Sequence, residues 1–212
     1  MQVWQSPHPT PIIEWTLTLL SPSVARPLSP EKRLALLQSA VNAVADLGVL
    51  ASTASIARGA GVAEGTLFTY FETKENLLQA LYLHLKQGLA DTMTPDYPRE
   101  ADYQERARHV FQRYVDWGLS HGTERTALAR LTASGLILEA TRLQGMEAFA
   151  DVAGMIQQAI DDGVFIDAPL GLLSSVIEDI AGRTIEYVER FPAEAERHRE
   201  LGFRMVWAAV KA

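Results

Sequence analysis

The sequence has no cysteine, and it has little positive charge. The first absence excludes disulfides, thiolate zinc sites, iron–sulfur clusters and cysteine nucleophiles. The five histidines fall at neither HxH nor HExxH spacing, so no metal site is predicted. With 19 basic and 26 acidic residues the net charge is −7, and the isoelectric point is about 5.2. This excludes a uniformly basic coat for nucleic acid but not a local neutral or basic face.

Long apolar runs are also absent. None reaches the roughly 18 residues that a transmembrane helix requires. The nearest run, residues 11–20, is interrupted by Glu14 and lacks a basic region before it, so it is not typical of a signal peptide. Of the 212 residues, 48% are hydrophobic and 21% charged, which is typical of a globular protein. We therefore expect a cytoplasmic protein without a membrane segment.

The first thirty residues differ from the rest in their proline content. Six of the chain's ten prolines lie there, and the only charged side chains before residue 30 are Glu14 and Arg26. Proline at this density prevents a continuous helix. Residues 1–29 are accordingly predicted to be a disordered tail. We hypothesise that the natural protein begins near Val24 or Leu28, which intact-mass measurement of natively expressed protein would test.

Helical periodicity begins at Ser29, a good N-cap that precedes Pro30, and the first helix is expected to end at Gly48. Three more helices are predicted over 53–60, over 64–71 and from residue 74, with a loop over 91–98. Apolar residues then recur at helical spacing over 107–114, 128–138, 146–160, 169–190 and 192–211. No segment shows sustained alternation of apolar and polar residues. The chain is therefore predicted to be all-α.

The most specific segment is residues 53–74, with the sequence TASIARGAGVAEGTLFTYFETK. Two short helices that cross closely need small residues at the crossing, here Ala57, and a corner residue that tolerates positive φ, here Gly61. Apolar residues on both sides, Ile56 and Leu67 among them, fix the crossing angle. This pattern predicts a helix-turn-helix in which Glu64–Phe71 is the recognition helix.

The segment IARGAGVAEGTLFTYFETKENLL resembles the DNA-binding domain of the TetR (AcrR-like) family of transcriptional repressors. The resemblance extends back over a first helix at 33–48 and forward to Leu78. It implies a three-helix DNA-binding domain, placed here at 30–76. It also implies a C-terminal helical domain for ligand binding and dimerisation, placed at 77–212.

A recognition helix presents its N-terminal residues to base edges, while side chains along it and nearby hold phosphates. Gly65 permits close approach of the backbone, and threonine hydroxyls and methyls suit bases and phosphates. Tyr70 and Lys74 resemble the family's phosphate-binding residues. The predicted DNA contacts are Ser52, Thr53, Ala63, Glu64, Gly65, Thr66, Thr69, Tyr70 and Lys74. Phe68 and Phe71 are assigned to the core.

Some positions depart from the family pattern. Ala63 forgoes an N-cap bond worth about 0.5–2 kcal/mol. Glu64 either complements the helix dipole or accepts from cytosine N4. Residues 31–88 carry no net charge, so the negative excess lies in residues 91–212. Such a domain is expected to bind DNA weakly as one copy, so that two are needed.

Two surfaces are predicted in the C-terminal domain. The last two helices would form the homodimer contact through Leu173, Val176, Ile177, Ile180, Thr184 and Val188 and through Leu201, Met205, Ala208 and Ala209, unless these residues pack within one subunit. The predicted ligand pocket comprises His109, Phe111, Arg113, Tyr114, Trp117, Gln144, Met146, Phe149 and Met155, although such a stripe is more often core. A neutral or cationic apolar compound is the expected ligand.

The function that follows is a ligand-responsive repressor, which binds a palindromic DNA operator as a homodimer and is released by a small molecule. Activation or an architectural role on DNA stays open. The competing class is an all-α small-molecule carrier or enzyme. Because no nucleophile–base spacing emerges, no enzymatic activity and no cofactor are predicted.

Overall fold

The computed structural model describes residues 28–212, so the predicted tail lies outside the described residues except for Leu28 and Ser29. Within this range the fold is all-α, as predicted, and contains ten α-helices and two short 3₁₀ turns. The helices are α1 (Pro30–Leu47), α2 (Thr53–Gly59), α3 (Glu64–Phe71), α4 (Lys74–Met93), α5 (Tyr103–Ser120), α6 (Gly122–Ala133), α7 (Glu139–Glu147), α8 (Ala150–Asp161), α9 (Leu170–Arg190) and α10 (Ala195–Val210).

The first helices begin and end at the predicted signals. Ser29 caps α1, where its Oγ accepts a hydrogen bond from the backbone N–H of Lys32 at 3.2 Å. Gly48 follows α1 with a φ of +67°. Ser52 caps α2 in the same way, and Gly61 makes the turn between α2 and α3 with a φ of +69°. A residue with a Cβ would be strained at this turn, since positive φ costs roughly 1–2 kcal/mol.

The helix-turn-helix has its own apolar core. Its fully buried side chains come from α1 to α4 and include Leu36, Val41, Ile56, Leu67 and Leu77. Two further members of the same cluster, Ala127 and Leu131, belong to α6. The N-terminal helices therefore share a core with the C-terminal part of the chain.

Helix α4 joins the two parts of the molecule. Thr73 caps its N-terminus, and the helix then continues without interruption for 20 residues. Leu77 and Leu81 lie in the helix-turn-helix core, whereas Leu89 and Met93 pack against α5 and the region of Phe149. The domain boundary predicted at residue 76 falls inside this helix.

The C-terminal half is built around α5, α9 and α10. Their shared core contains Phe111, Val115, Ile185, Phe203 and Val206. Helix α8 closes one end of this core, and α6 and α7 flank α4. Between α4, α5, α6, α7 and α9 the helices leave a cleft of about 710 Å³.

Two predicted helices in the middle of the chain are wrong. The run predicted over 128–138 breaks after Ala133, where Gly135 adopts a φ of +70°. The run predicted over 146–160 is interrupted between α7 and α8 at Ala148 and Phe149. Helix α4 also extends three residues into the predicted loop over 91–98. At both breaks the apolar period persists through the interruption, so periodicity alone does not show where one helix ends and the next begins.

One stretch of the described residues, Pro30–Leu50, is long and apolar enough to cross a membrane, with a mean hydropathy of 1.3. It comprises α1 and the following turn. The apolar face of α1, which includes Leu36, Leu37, Val41 and Val44, is buried in the helix-turn-helix core. This packing buries 28% of the apolar window, while Leu34, Leu47 and Leu50 are exposed.

Candidate nucleic-acid interface and ligand cleft

Helix α3 presents one face to solvent. Leu67 and Phe71, four residues apart, are buried and anchor the helix on the core. Glu64, Gly65 and Thr69 are exposed, and Thr66 is half-buried. A Cβ added at Gly65 would meet no atom within 4 Å, so the backbone there is open to an approaching molecule.

Phe68 is part of this exposed face. With 39% of its surface accessible, it lies outside the core, and the prediction that it would be a core residue is wrong. The reason is helical geometry, because Leu67 and Phe71 occupy the buried side and residue 68 is rotated about 100° from residue 67. An exposed phenyl ring on α3 is a surface that can contact thymine methyl groups.

Tyr70 lies at the edge of α3 and is half-buried. Its hydroxyl oxygen accepts a hydrogen bond from the backbone N–H of Ser29 at 3.0 Å, which ties the start of α1 to the recognition helix. The phenolic proton remains available to a further acceptor. Tyr70 therefore has a structural partner as well as the predicted role at phosphate.

Two of the predicted contacts pair with each other. The Thr53 hydroxyl donates to the Glu64 carboxylate at 2.5 Å, joining the start of α2 to the start of α3. The Thr69 hydroxyl donates to the Gly65 carbonyl at 3.1 Å. Both threonine oxygens can still accept hydrogen bonds, and Glu64 is held with its charge at the positive end of the α3 dipole.

The remaining predicted residues lie around α3. The Ser52 Oγ accepts from the Ser55 N–H at 3.1 Å. Ala63 precedes α3 without a side-chain cap. Lys74 opens α4 and is half-buried. The Ser52 hydroxyl is thus already used by a backbone group.

The cleft receives only part of the predicted ligand pocket. Tyr114, Trp117 and Met146 line it. Phe111 belongs to the α5–α9–α10 core, and Met155 belongs to the cluster around α8. Phe149 faces a separate, smaller cavity of about 190 Å³.

The polar members of that prediction also lie away from the cleft. A ring nitrogen of His109 is 3.2 Å from the Met93 carbonyl oxygen. Arg113 Nη2 lies 3.8 Å from a carboxylate oxygen of Asp96. Gln144 is exposed on α7.

The cleft contains ionisable side chains that the sequence prediction missed, including Lys86, Arg142 and Glu178. Lys86 is only 7% exposed although it lies on α4 between Tyr82 and Leu89, both buried. The sequence signal that could have identified Lys86 is its position within the apolar stripe of a helix.

Burial shifts the pKa values of several ionisable side chains in the cleft. Burial lowers the pKa of Lys86, and the charge of Glu178 opposes this shift. Desolvation raises the pKa of Glu178, and the charge of Lys86 opposes this shift, although Glu178 as a whole residue is exposed. Burial raises the pKa of Tyr82, and it raises that of Tyr114 to about 12.

A second concave surface lies on α9 and α10. This largely apolar groove of about 580 Å³ is lined by Asp179, Ile180, Arg183, Thr184, Tyr187, Arg197, His198, Leu201, Gly202 and Met205. Tyr187 is 53% exposed and Met205 is 58% exposed. Of the predicted dimer residues, Leu173, Thr184 and Val188 are buried within the subunit, whereas Met205, Ala208 and Ala209 are exposed.

Comparison with known proteins agrees with this architecture. The sequence model described as "Bacterial regulatory proteins, tetR family" matches residues 36–81. A solved tetR family transcription regulator from Shewanella sp. PV-4 is 26% identical and superposes with a TM-score of 0.78, over 85% of this chain and 98% of that one. The helix-turn-helix of this chain thus matches the TetR family model, and its described fold is similar to that of solved TetR family transcription regulators.

Other relatives extend the TetR comparison. A TetR family transcription regulator from Marinobacter aquaeolei VT8 is 27% identical, with a TM-score of 0.72 over 85% of this chain and 96% of that one. The nucleoid occlusion factor SlmA of Haemophilus influenzae is 29% identical over 98 residues, which are 46% of this chain and 43% of SlmA. The chain thus matches less than half the length of this curated relative.

The residues that match the TetR family model include the helix proposed as the recognition helix. Residues 36–81 run from α1 to the first half of α4 and include the whole of α3. Sequence reasoning missed Phe68 as an exposed residue of this interface. It also missed Arg33, whose guanidinium lies 5.4 Å from the centre of the Phe71 ring and so places a cation beside the C-terminal end of α3.

Proposed function

We propose that the chain is a cytoplasmic, homodimeric transcriptional repressor that binds a palindromic operator and is released by a small molecule. The observation that carries this proposal is the exposed face of α3. Gly65, Phe68 and Thr69 lie open on a helix that two buried residues hold in place, with Lys74 at the start of the next helix. Most of this face has no packing partner within the described chain, which is what a helix that enters a groove requires.

The proposed DNA contacts divide by chemistry. Gly65, Thr66 and Phe68 face base edges and thymine methyls, while Thr69, Tyr70 and Lys74 hold phosphates. Ser52, Thr53, Ala63 and Glu64 line the same edge of the helix-turn-helix. Glu64, bound by Thr53, favours the dipole role over a contact with cytosine.

The α9–α10 groove supports the proposed dimer. Its apolar side chains are exposed in a single subunit, and a second copy that covers them would bring two α3 helices onto one duplex. On a palindrome the two helices would enter successive major grooves about 34–36 Å apart. The cleft beside α4 supports a ligand site, because α4 continues directly from the helix-turn-helix into the cleft wall.

The central experiment changes the open face without disturbing the fold. Gly65→Gln adds a side chain where nothing lies within 4 Å and improves helix propensity, so the variant is expected to melt at the same or a higher temperature. In a gel shift with the DNA upstream of the protein's own gene, it is expected to lose the specific shift. Gly154→Gln, another helical glycine with open space at Cβ, is the matched control and is expected to bind like the wild type.

Equal retardation by wild type and Gly65→Gln would remove α3 from the DNA contacts. Absence of any specific shift, even by the wild type without added ligand, would favour a non-DNA-binding carrier. An enzyme would require convergent catalytic groups, and the relatives identified here are regulators. A reporter gene placed behind the operator distinguishes repression from activation.

A further inference from the structure

The cleft wall contains a buried ammonium without a carboxylate partner. Lys86 is 7% exposed, and its Nζ lies 4.5 Å from the centre of the Phe149 ring. No carboxylate of residues 28–212 lies within ion-pair distance of it. Phe149 therefore supports the ammonium from the side away from the cleft, through a cation–π contact.

A second cation of the wall, Arg142 on α7, is held without neutralisation. Its Nε donates to the Ile137 carbonyl and its Nη2 to the Thr132 carbonyl, each at 3.3 Å. Backbone carbonyls fix the guanidinium but carry no net charge. A third cation, Arg125, is paired with Glu189 at 2.7 Å.

The acidic groups that line the cleft all lie on α9. Asp179 and Glu186 lie on α9 with Arg183, which forms an ion pair with Glu186 at 2.8 Å. Glu178, whose charge opposes the lowering of the Lys86 pKa, and Asp179 form no ion pair within residues 28–212. The unpaired charges of the cleft are thus divided between its walls, with the cations Lys86 and Arg142 on α4 and α7 and the carboxyls Glu178 and Asp179 on α9.

Hydroxyl donors and apolar surface complete the cleft. Neither Tyr82 nor Tyr114 uses its hydroxyl in a hydrogen bond within residues 28–212, and both residues line the cleft. Leu89, Trp117 and Leu128 supply apolar surface. A volume of about 710 Å³ with a few convergent polar groups is the usual form of a site for an organic molecule.

We propose that the cleft binds an amphipathic organic carboxylate, with its anionic group at Lys86 and Arg142 and its apolar part against Leu89, Trp117 and Leu128. This proposal rests on the proposed function, since it names the class of ligand that releases the regulator. It replaces the neutral or cationic compound expected from the sequence, because the cations converge only when α4 and α7 pack together. Lys86 lies twelve residues after Lys74 on one helix, roughly 18 Å along its axis, so a ligand at Lys86 acts on the helix that begins at the DNA interface.

The test uses three probes of equal chain length and different charge: decanoate, 1-decanol and decyltrimethylammonium. Isothermal titration calorimetry of the full-length protein below the micellar range is expected to show decanoate binding at least about tenfold more tightly than either other probe. Lys86→Met is expected to abolish this preference while leaving 1-decanol binding unchanged. Lys211→Met, which removes an exposed lysine, is the matched control and is expected to retain it.

Folding is checked by thermal melting. Lys86→Met replaces a buried ammonium with an apolar chain of similar length, so its melting temperature is expected to equal or exceed that of the wild type. Arg142→Met provides a second variant with the same expected loss of decanoate preference. Equal binding of the three probes, a preference for the cation, binding of none of them, or undiminished preference in both variants would overturn the proposal.

A separate gel shift distinguishes this proposal from the proposed function. Wild type that shifts its upstream DNA but does not prefer decanoate disproves only the carboxylate site. Wild type that prefers decanoate but shifts no DNA disproves the regulator and leaves the carboxylate site in place. Release of the DNA by decanoate in wild type, and not in Lys86→Met, would support both.

Discussion

Lys74 is the residue at which the proposed DNA contact is most directly electrostatic. It opens α4 beside α3, in a domain whose net charge over residues 31–88 is zero. Each phosphate that a lysine neutralises adds about one unit to the slope of log affinity against log salt. We expect Lys74→Met to weaken binding of all DNA sequences and to reduce this slope by about 2 in a dimer, as measured by fluorescence anisotropy at several salt concentrations. An unchanged slope would show that Lys74 does not contact phosphate.

Glu178 determines a predicted dependence of stability on pH. Burial raises its folded pKa above the unfolded value of 4.5, and Lys86 opposes this shift. The folded state therefore holds the proton to higher pH than the unfolded chain, so the contribution of Glu178 to stability falls as pH rises from 4.5 through the folded pKa. We expect Glu178→Gln to unfold at an equal or higher temperature than the wild type at pH 7.

The measurement is the difference in melting temperature between Glu178→Gln and wild type from pH 4 to pH 7. This difference is expected to grow in favour of the variant as pH rises. Glu139→Gln, which removes a carboxyl outside the cleft lining, is the control and is expected to give a smaller pH dependence. A variant that is less stable at pH 7 would mean that the attraction of Lys86 exceeds the cost of burying Glu178.

At the scale of helices, substitutions at two glycines distinguish the effect of close packing on stability from the effect of helix propensity. A Cβ at Gly202 on α10 would lie 2.1 Å from Thr184 Oγ1 and 2.9 Å from Phe111 Cζ, so α10 approaches α9 and α5 only because the side chain is absent. At Gly154 on α8 nothing lies within 4 Å. We expect Gly202→Ala to lower the free energy of unfolding by about 1–3 kcal/mol. Gly154→Ala is expected to raise it by up to about 1 kcal/mol.

Chemical denaturation monitored by circular dichroism measures both changes. Because the substitutions are identical and both sites are helical, the difference between them reports the packing of α10 against α9 and α5. Destabilisation by Gly154→Ala, or no effect of Gly202→Ala, would contradict the packing described here.

The elements that the sequence predicts well are those with local signals. Ser29, Gly48, Ser52 and Gly61 determine where α1 and α2 begin and end, through hydrogen bonds and φ angles that involve neighbours within a few residues. The break between α7 and α8 at Ala148 carries neither glycine nor proline at the break itself. Phe149 at this break is buried against residues of α4 and α5, and such distant contacts are not contained in a local pattern.

The same distinction applies to the candidate site. Helix α3 lies within eight residues, so its position could be predicted, although the direction of Phe68 could not be read from hydrophobicity alone. The cleft is assembled from five helices between residues 74 and 190. Lys86, Arg142 and Glu178 meet there only after folding, which is why the sequence prediction found three aromatic and methionine residues of the wall but none of its charges.

At the scale of the whole molecule, the proposed function requires two α3 helices to be brought onto one operator. The α9–α10 groove exposes Tyr187 and Met205, and a second copy of the chain is the proposed cover. We expect Met205→Asp to place a charge in this apolar contact and to shift the protein from dimer to monomer in sedimentation velocity. Its melting curve is expected to retain a single cooperative transition, since Met205 is exposed in the subunit.

Loss of the dimer is expected to weaken DNA binding. Two linked recognition helices gain about 10²–10⁴ in affinity over one, because the second binds at high effective concentration. Met205→Asp is therefore expected to bind the palindromic operator at least about a hundredfold more weakly, while its weak binding to a half-site stays unchanged. Leu143→Asp, at an exposed leucine on α7 outside the groove, is the matched control and should remain a dimer with normal operator affinity. A monomeric Met205→Asp that still binds the full operator like the wild type would show that one α3 suffices, and the requirement for a palindrome would then be wrong.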